Sequence, residues 1–211
     1  MAAKQLRLLH AEHIPWAPGP RLPLTPADEA ARRKFATRVP FEYAFVREGE
    51  EVAPPAHHDV ELQYDLICRH PGEVMLVPIG PLTNLATLFT RHPDAADKLK
   101  GIAMMGGDFP DPKREYNMAC DPDASKIVLA TGAPKFMGTY AVTRQVVMGQ
   151  AEVEALRQSP DPACAALAEQ VDLWRPHSGN KPGPVVYDVC PIMWCFRPDL
   201  FTTRRYAIDV V

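Results

Sequence analysis

Glu115 and Asn117 stand two residues apart in a polar stretch that follows an apolar run and two glycines, Gly106 and Gly107. In an extended segment, alternation places their side chains on one side of the chain. A carboxylate and an amide so placed could grip adjacent hydroxyls, although a solvated loop would hold the same pair. Asp188 precedes the apolar stretch Val189–Trp194. It reads either as a helix cap or as a single carboxylate ligand for a hard cation. One carboxylate does not make a metal site. Ile79 ends the run Glu73–Ile79; the Gly80-Pro81 that follows reads either as a turn and helix start, or as a strand end whose last carbonyl, on Ile79, points toward a ligand crevice. Asp121, followed by Pro122, reads as a helix cap. His57 and His58 lie in a proline-rich loop without spaced partners, which suits solvation better than metal ligation. No G-x-G-x-x-G is present, so a dinucleotide site has no support.

These residues need elements to position them. Residues 73–79, 101–105 and 134–139 are short apolar runs of the kind buried on both faces of a sheet. Helices are expected from Asp59, as N-cap, to His70, and then over 81–92, 93–100, 121–131, 151–175 and 187–196, with a last strand over 205–211. The stretch 106–120 reads as loop. Before residue 59 the order is poorer: a short helix near Lys4–His10, proline-rich chain over 14–26, a surface helix over 27–38, and a loop over 46–55. Strands alternating with helices at roughly 30-residue spacing are the mark of βαβ units. The fold class is therefore α/β, an open, mostly parallel sheet flanked by helices, in one domain spanning residues 1–211. Ligands of such sheets bind beyond the carboxyl ends of the strands. That rule selects three segments: Gly80–Asn84, Gly106–Asn117 and Tyr140–Gln145.

Composition narrows the function classes. The 211 residues carry a net charge of -3, with 46% hydrophobic and 23% charged residues, an ordinary globular balance that gives no reason to expect nucleic-acid binding. No apolar run reaches the ~18 residues of a membrane span, and the N-terminus has neither the apolar core nor the small-residue site of a signal peptide. Five cysteines, odd in number and without a C-x-x-C pair, suit free thiols in a cytoplasmic setting. Twenty-three prolines, about twice the usual ~5%, cluster where irregular loops are expected.

Taken in order, Val77-Pro-Ile-Gly-Pro-Leu-Thr-Asn-Leu-Ala86, Ile102-Ala-Met-Met-Gly-Gly107, Glu115-Tyr-Asn117, Asp121-Pro-Asp-Ala-Ser125, Ala141-Val-Thr-Arg-Gln145, Tyr187-Asp188 and Arg197-Pro-Asp-Leu-Phe-Thr-Thr203 resemble the nucleoside hydrolase family, of the inosine/uridine-preferring type. The resemblance is close over 59–211 and weak over 1–25. It implies a nucleoside-hydrolase-like, Rossmann-like fold and hydrolysis of the N-glycosidic bond of ribonucleosides to ribose and free base. In that chemistry a calcium-held water is deprotonated by an aspartate and attacks the anomeric carbon through an oxocarbenium-like state. By position, the resemblance implies that Ile79, through its backbone carbonyl, and Asp188 ligate the metal, that Glu115 and Asn117 bind the ribose, and that the protein is a homo-oligomer.

The sequence also departs from the family. The D-x-D-x-G-x-D-D segment that supplies the base and most metal carboxylates is not present, so the chain is expected to be N-terminally truncated, to hold calcium weakly or not at all, and to be impaired in hydrolysis. The asparagine after the second strand and the histidine-glycine loop are also unrecognisable. Where the family often has histidine before the metal aspartate, this chain has Tyr187, a possible acid for the leaving base and a weaker one, with its reference pKa near 10. The alternative reading is a non-catalytic relative acting as a nucleoside-binding module or oligomeric partner. A Rossmann oxidoreductase would fit the fold but lacks its phosphate loop.

Overall fold

The computed structural model describes residues 2–20, 22–24, 58–108, 115–208 and 210. The helix expected over 27–38, the loop over 46–55 and His57 lie outside the described residues. The order of elements is α1 (Ala2–Leu8), α2 (Asp59–Arg69), β1 (Met75–Leu76), α3 (Thr83–Arg91), β2 (Gly101–Met105), α4 (Tyr116–Cys120), α5 (Pro122–Ala130), β3 (Lys135–Gly138), α6 (Tyr140–Thr143), α7 (Gln150–Gln158), α8 (Pro162–Trp174) and α9 (Val189–Phe196). Short 3-10 turns at Pro93–Lys98, Arg175–Ser178 and Pro198–Leu200 join them.

The sheet has the order β1-β2-β3, and both pairings are parallel. Met75 stands opposite Gly101, Ile102 opposite Lys135, and Met105 opposite Gly138. Strand β2 lies in the middle and all five of its residues are buried, as its unbroken apolar run requires. On one face Ile102 and Met104 join Val60, Ile67, Leu85, Leu88 and Val128 from α2, α3 and α5 in the main core. On the other face α9 packs against β2 and β3. Gly138 permits that approach, since a Cβ there would lie 3.3 Å from Thr143 Cγ2 and 3.4 Å from Pro191 Cδ.

Several expected elements differ in extent. The run 73–79 pairs as strand only over two residues, although the Met105 N–H still donates to the Pro78 carbonyl at 3.1 Å. Pro78 has no N–H to return, so the ladder cannot continue. Asp59 is the first residue of α2 and is buried; His58 holds the cap position. The region 151–175 is two helices, because Ser159-Pro160 interrupts it and Asp161 caps α8 by accepting from the Ala163 N–H at 2.8 Å. Residues 116–120, expected as loop, form a short helix. Helix α9 begins at Val189, two residues later than expected. Residues 205–208 form no strand. Nearby, Phe136 of β3 stacks on Trp194 of α9, with Phe201 against its edge.

Candidate active-site cleft

At the carboxyl ends of the strands lies a cleft of about 490 Å³. The residue after each strand, and the turn that follows it, build its walls. Gly107 is the junction. Its φ of +72° is the left-handed region that glycine adopts without strain. Its N–H donates to Glu115 Oε2 at 3.2 Å, and its carbonyl accepts from the Tyr140 N–H at 2.9 Å. The loop after β2 and the turn after β3 are thereby fastened together.

Glu115 and Asn117 both reach the cleft and both are buried. Glu115 caps α4: Oε1 accepts from the Asn117 N–H at 2.9 Å and Oε2 from the Met118 N–H at 3.0 Å, besides Gly107. Three amide hydrogens thus converge on one carboxylate at a helix start. The Asn117 amide donates to the Met105 carbonyl at 3.0 Å, which stops the end of β2 from fraying and leaves the amide oxygen available. The pair shares one side because the Glu115 side chain folds back over the turn, not through strand-like alternation.

Asp188 and Tyr187 enter from the opposite wall. An antiparallel bridge between Val147 and Val185, with the Val186 N–H donating to the Val146 carbonyl at 2.9 Å, carries the chain to that position. Asp188 occupies the cap position of α9 but makes no capping hydrogen bond, so the cap reading of this residue does not hold. Burial, and next the charge of Glu115, raise its carboxyl above the usual carboxylate range. Tyr187 is stacked on Tyr140, with ring centroids 5.8 Å apart and planes at 14°. Burial first, then the Tyr140 phenol, raise its hydroxyl, and Arg144 opposes them. Ile79 completes the lining. Sequence reasoning selected the segment Tyr140–Gln145 by the strand-end rule but assigned Tyr140 no task; its stack on Tyr187 is a tertiary contact that no local pattern signals.

Asp121, in contrast, is structural. Its carboxylate accepts from the Ala124 N–H at 3.2 Å, from the Thr83 hydroxyl at 2.6 Å and from the Leu24 N–H at 2.9 Å. His58 is exposed and lies 2.9 Å from Asp59.

Calcium takes 6–8 oxygen ligands. Around this cleft Asp188 offers a carboxylate and Ile79 a carbonyl, while both Glu115 oxygens are already engaged by backbone amides. Among the described residues no group of three His, Cys, Asp or Glu side chains could hold a metal ion. This donor set does not fit calcium.

The fold is of the α/β class, an open parallel sheet flanked by helices, with a carboxylate-bearing cleft at its strand ends, where ligands of such sheets bind. The chain belongs to the inosine-uridine preferring nucleoside hydrolase family, whose model matches residues 1–211. It is 32% identical over 166 residues to the pyrimidine-specific ribonucleoside hydrolase RihA of Shewanella oneidensis, a match covering 75% of this chain and 52% of that protein. It is 34% identical over 158 residues to the RihA of an Enterobacter strain, covering 71% and 50%. The chain thus spans about half the length of the curated relatives it matches. The same fold occurs in the plant nucleoside hydrolase PpNRh1, with a TM-score of 0.73 at 24% identity, covering 95% of this chain and 66% of that one. It occurs also in an inosine-guanosine nucleoside hydrolase, with a TM-score of 0.68 at 21% identity, covering 94% and 65%.

Proposed function

We propose that the cleft binds ribonucleosides, with Glu115, Asn117 and Asp188 toward the ribose hydroxyls, the Ile79 carbonyl beside them and Tyr187 toward the base. The observation that carries this reading is the convergence of four separate segments, each at a strand end or at the start of α9, on one cleft of about 490 Å³ that holds two carboxylates and an amide. Family membership supplies the substrate class, and the RihA relatives act on pyrimidine ribonucleosides by their names.

Hydrolysis of the N-glycosidic bond to ribose and base is the family's chemistry, and in this chain it is impaired. Water must lose a proton as it attacks, and a positioned base typically contributes ~10²–10⁴-fold. Glu115 is a poor candidate because both its oxygens are taken by amide hydrogens. Asp188, its carboxyl raised, is the other carboxylate among the described residues that line the cleft. The same facts favour, as a second reading, a module that binds nucleosides without turning them over. Calcium binding is expected to be weak, since the described lining of the cleft offers few oxygen ligands.

The test is made on the 211-residue chain with calcium in excess. Uridine and inosine are expected to bind by calorimetry, Asp188→Asn is expected to weaken that binding at least tenfold, and release of base is expected no faster than in a blank. Turnover at rates well above the blank would overturn the impairment. Failure of both nucleosides to bind would overturn the site itself.

A further inference from the structure

Cys68 lies in the last turn of α2, and Lys98 ends the 3-10 turn Pro93–Lys98 that leads into β2, at the pole of the sheet opposite the cleft. The backbone fastens these two segments together: the Gly72 N–H donates to the Lys98 carbonyl at 2.7 Å, and the Lys100 N–H to the Val74 carbonyl at 2.9 Å. Lys98 Nζ is held between two partners, donating to Asp94 Oδ2 at 2.6 Å and to Cys68 Sγ at 3.6 Å. The Tyr64 hydroxyl donates to the same Asp94 oxygen at 3.0 Å, its ring is stacked on His92, and Lys98 Nζ lies 5.5 Å over that ring. We propose that Cys68 and Lys98 form a redox modification site, in which a peroxide oxidises the thiol and the Lys98 amine captures the product as a covalent Sγ–Nζ link.

Exposure and distance carry the proposal. All five cysteines are free and Cys68 alone is exposed, so it is the thiol that a dissolved oxidant reaches first. At 3.6 Å from that sulfur, Lys98 Nζ stands close to the ~3–3.5 Å of a near-attack arrangement. In the first step the Cys68 thiolate attacks one oxygen of hydrogen peroxide. The S–O bond forms, the O–O bond breaks, hydroxide leaves and is protonated to water, and the sulfur, now a sulfenic acid, has given up two electrons. Asp94, through its hydrogen bond, is the largest influence holding Lys98 as an ammonium, so that group loses a proton to solvent before the second step. The free amine then attacks the sulfur: the S–N bond forms, the S–O bond breaks, and the departing hydroxide takes a second proton from the nitrogen. Sulfenic acids condense with backbone nitrogen in the same way. One thiol, one ammonium and one peroxide thus give the link, two waters and a proton. The link shields the sulfur from irreversible oxidation to sulfinic and sulfonic acid. It also closes the loop that contains β1 and α3, which restricts the unfolded chain and stabilises the fold. An added thiol reverses it by attacking the sulfur and displacing the amine, and a second thiol then frees Cys68 from the mixed disulfide.

The experiment treats the 211-residue chain with hydrogen peroxide, alkylates the remaining thiols and digests with trypsin without reductant. Mass spectrometry is expected to find the Cys68 peptide joined to the Lys98 peptide, lighter than their sum by two hydrogens, with no cleavage after Lys98 and with the link lost on adding dithiothreitol. Lys98→Arg keeps the charge but removes the amine. In that variant dimedone is expected to trap Cys68 as the sulfenic acid, and irreversible oxidation of Cys68 is expected to rise several-fold at the same peroxide dose. Oxidation is also expected to raise the urea midpoint of the wild type reversibly and to leave that of Lys98→Arg unmoved, with far-ultraviolet circular dichroism of the untreated proteins confirming equal folding. Cys68 oxidised but never joined to Lys98, equal irreversible oxidation in the two proteins, or a Lys98 link that survives in Cys68→Ser overturns the proposal.

Discussion

Asp188 is where the chemistry of a single side chain decides most. It is half-buried, carries no capping bond, and faces Glu115 across the cleft. Burial, and second the Glu115 charge, keep its carboxyl above the ordinary range. A carboxyl that binds its proton more tightly folded than unfolded adds stability below its unfolded value, near 4, and loses that stability as pH rises through its folded value. The ionised form is thus a stability cost at neutral pH. Asp188→Asn removes that cost: its urea midpoint is expected to equal or exceed that of the wild type at neutral pH, and the wild type is expected to gain on it as the pH falls toward about 4. A variant that is less stable at neutral pH by a margin independent of pH would show that Asp188 has a structural partner after all. Residues that trade stability for a charged cleft are the mark of a functional site, because burial is tolerated there for what the group binds.

At the scale of elements, Asp121 shows how one carboxylate can hold three pieces of chain. It caps α5, anchors the start of α3 through Thr83, and fastens Leu24 from the N-terminal region. Asp121→Ala removes a cap and leaves a buried hydroxyl and an amide without their acceptor, so a loss of about 3 kcal/mol in urea unfolding is expected. A loss under about 1 kcal/mol would mean water replaces the carboxylate. The cap itself was legible from Asp121-Pro122; its other two partners were not, since they come from residues 38 and 97 positions away. The same division runs through the fold. The centres of β2, β3, α3 and α5 are plain in the apolar runs and their turn residues, although only β2 is buried throughout, β1 and β3 being largely half-buried where both faces were expected to be covered. The length of β1 is not, because it depends on which neighbours are in reach and on Pro78 lacking a donor. The break at Ser159-Pro160-Asp161-Pro162 was visible as turn chemistry and was passed over. Within the cleft, the strand-end rule selects the segments that carry Ile79, Glu115 and Asn117, and these residues line it, but the folding of the Glu115 carboxylate over its own helix start, and the stack of Tyr140 on Tyr187, arise from contacts that spacing does not encode.

The molecule as a whole presents apolar surface that its sheet does not use. Helix α9 is apolar all round: Cys190 and Pro191 pack inward, while Val189, Ile192 and Phe196, at helical spacing, form an outward stripe on which Phe196 is 76% exposed. Leu200 and Tyr206 are exposed as well, at 59% and 65%. Among the described residues, β1 and β3 are the two ends of the sheet's order and have no further strand beside them. Exposed apolar patches and unpaired strand edges both favour association, and a net charge of -3 provides little repulsion to oppose it. Burying a phenylalanine side chain is worth roughly 1.5–3 kcal/mol, enough that one residue can shift a self-association constant by an order of magnitude or more. The chain is therefore expected to sediment as oligomers at micromolar concentration, and Phe196→Asp is expected to raise the dissociation constant at least tenfold without lowering the urea midpoint, since the side chain packs against little within its own chain. A wild type that remains monomeric at high concentration would remove the argument from the stripe. Association that persists unchanged in Phe196→Asp would move it to the strand edges, where a charged residue in place of Met75 on β1 should then break it.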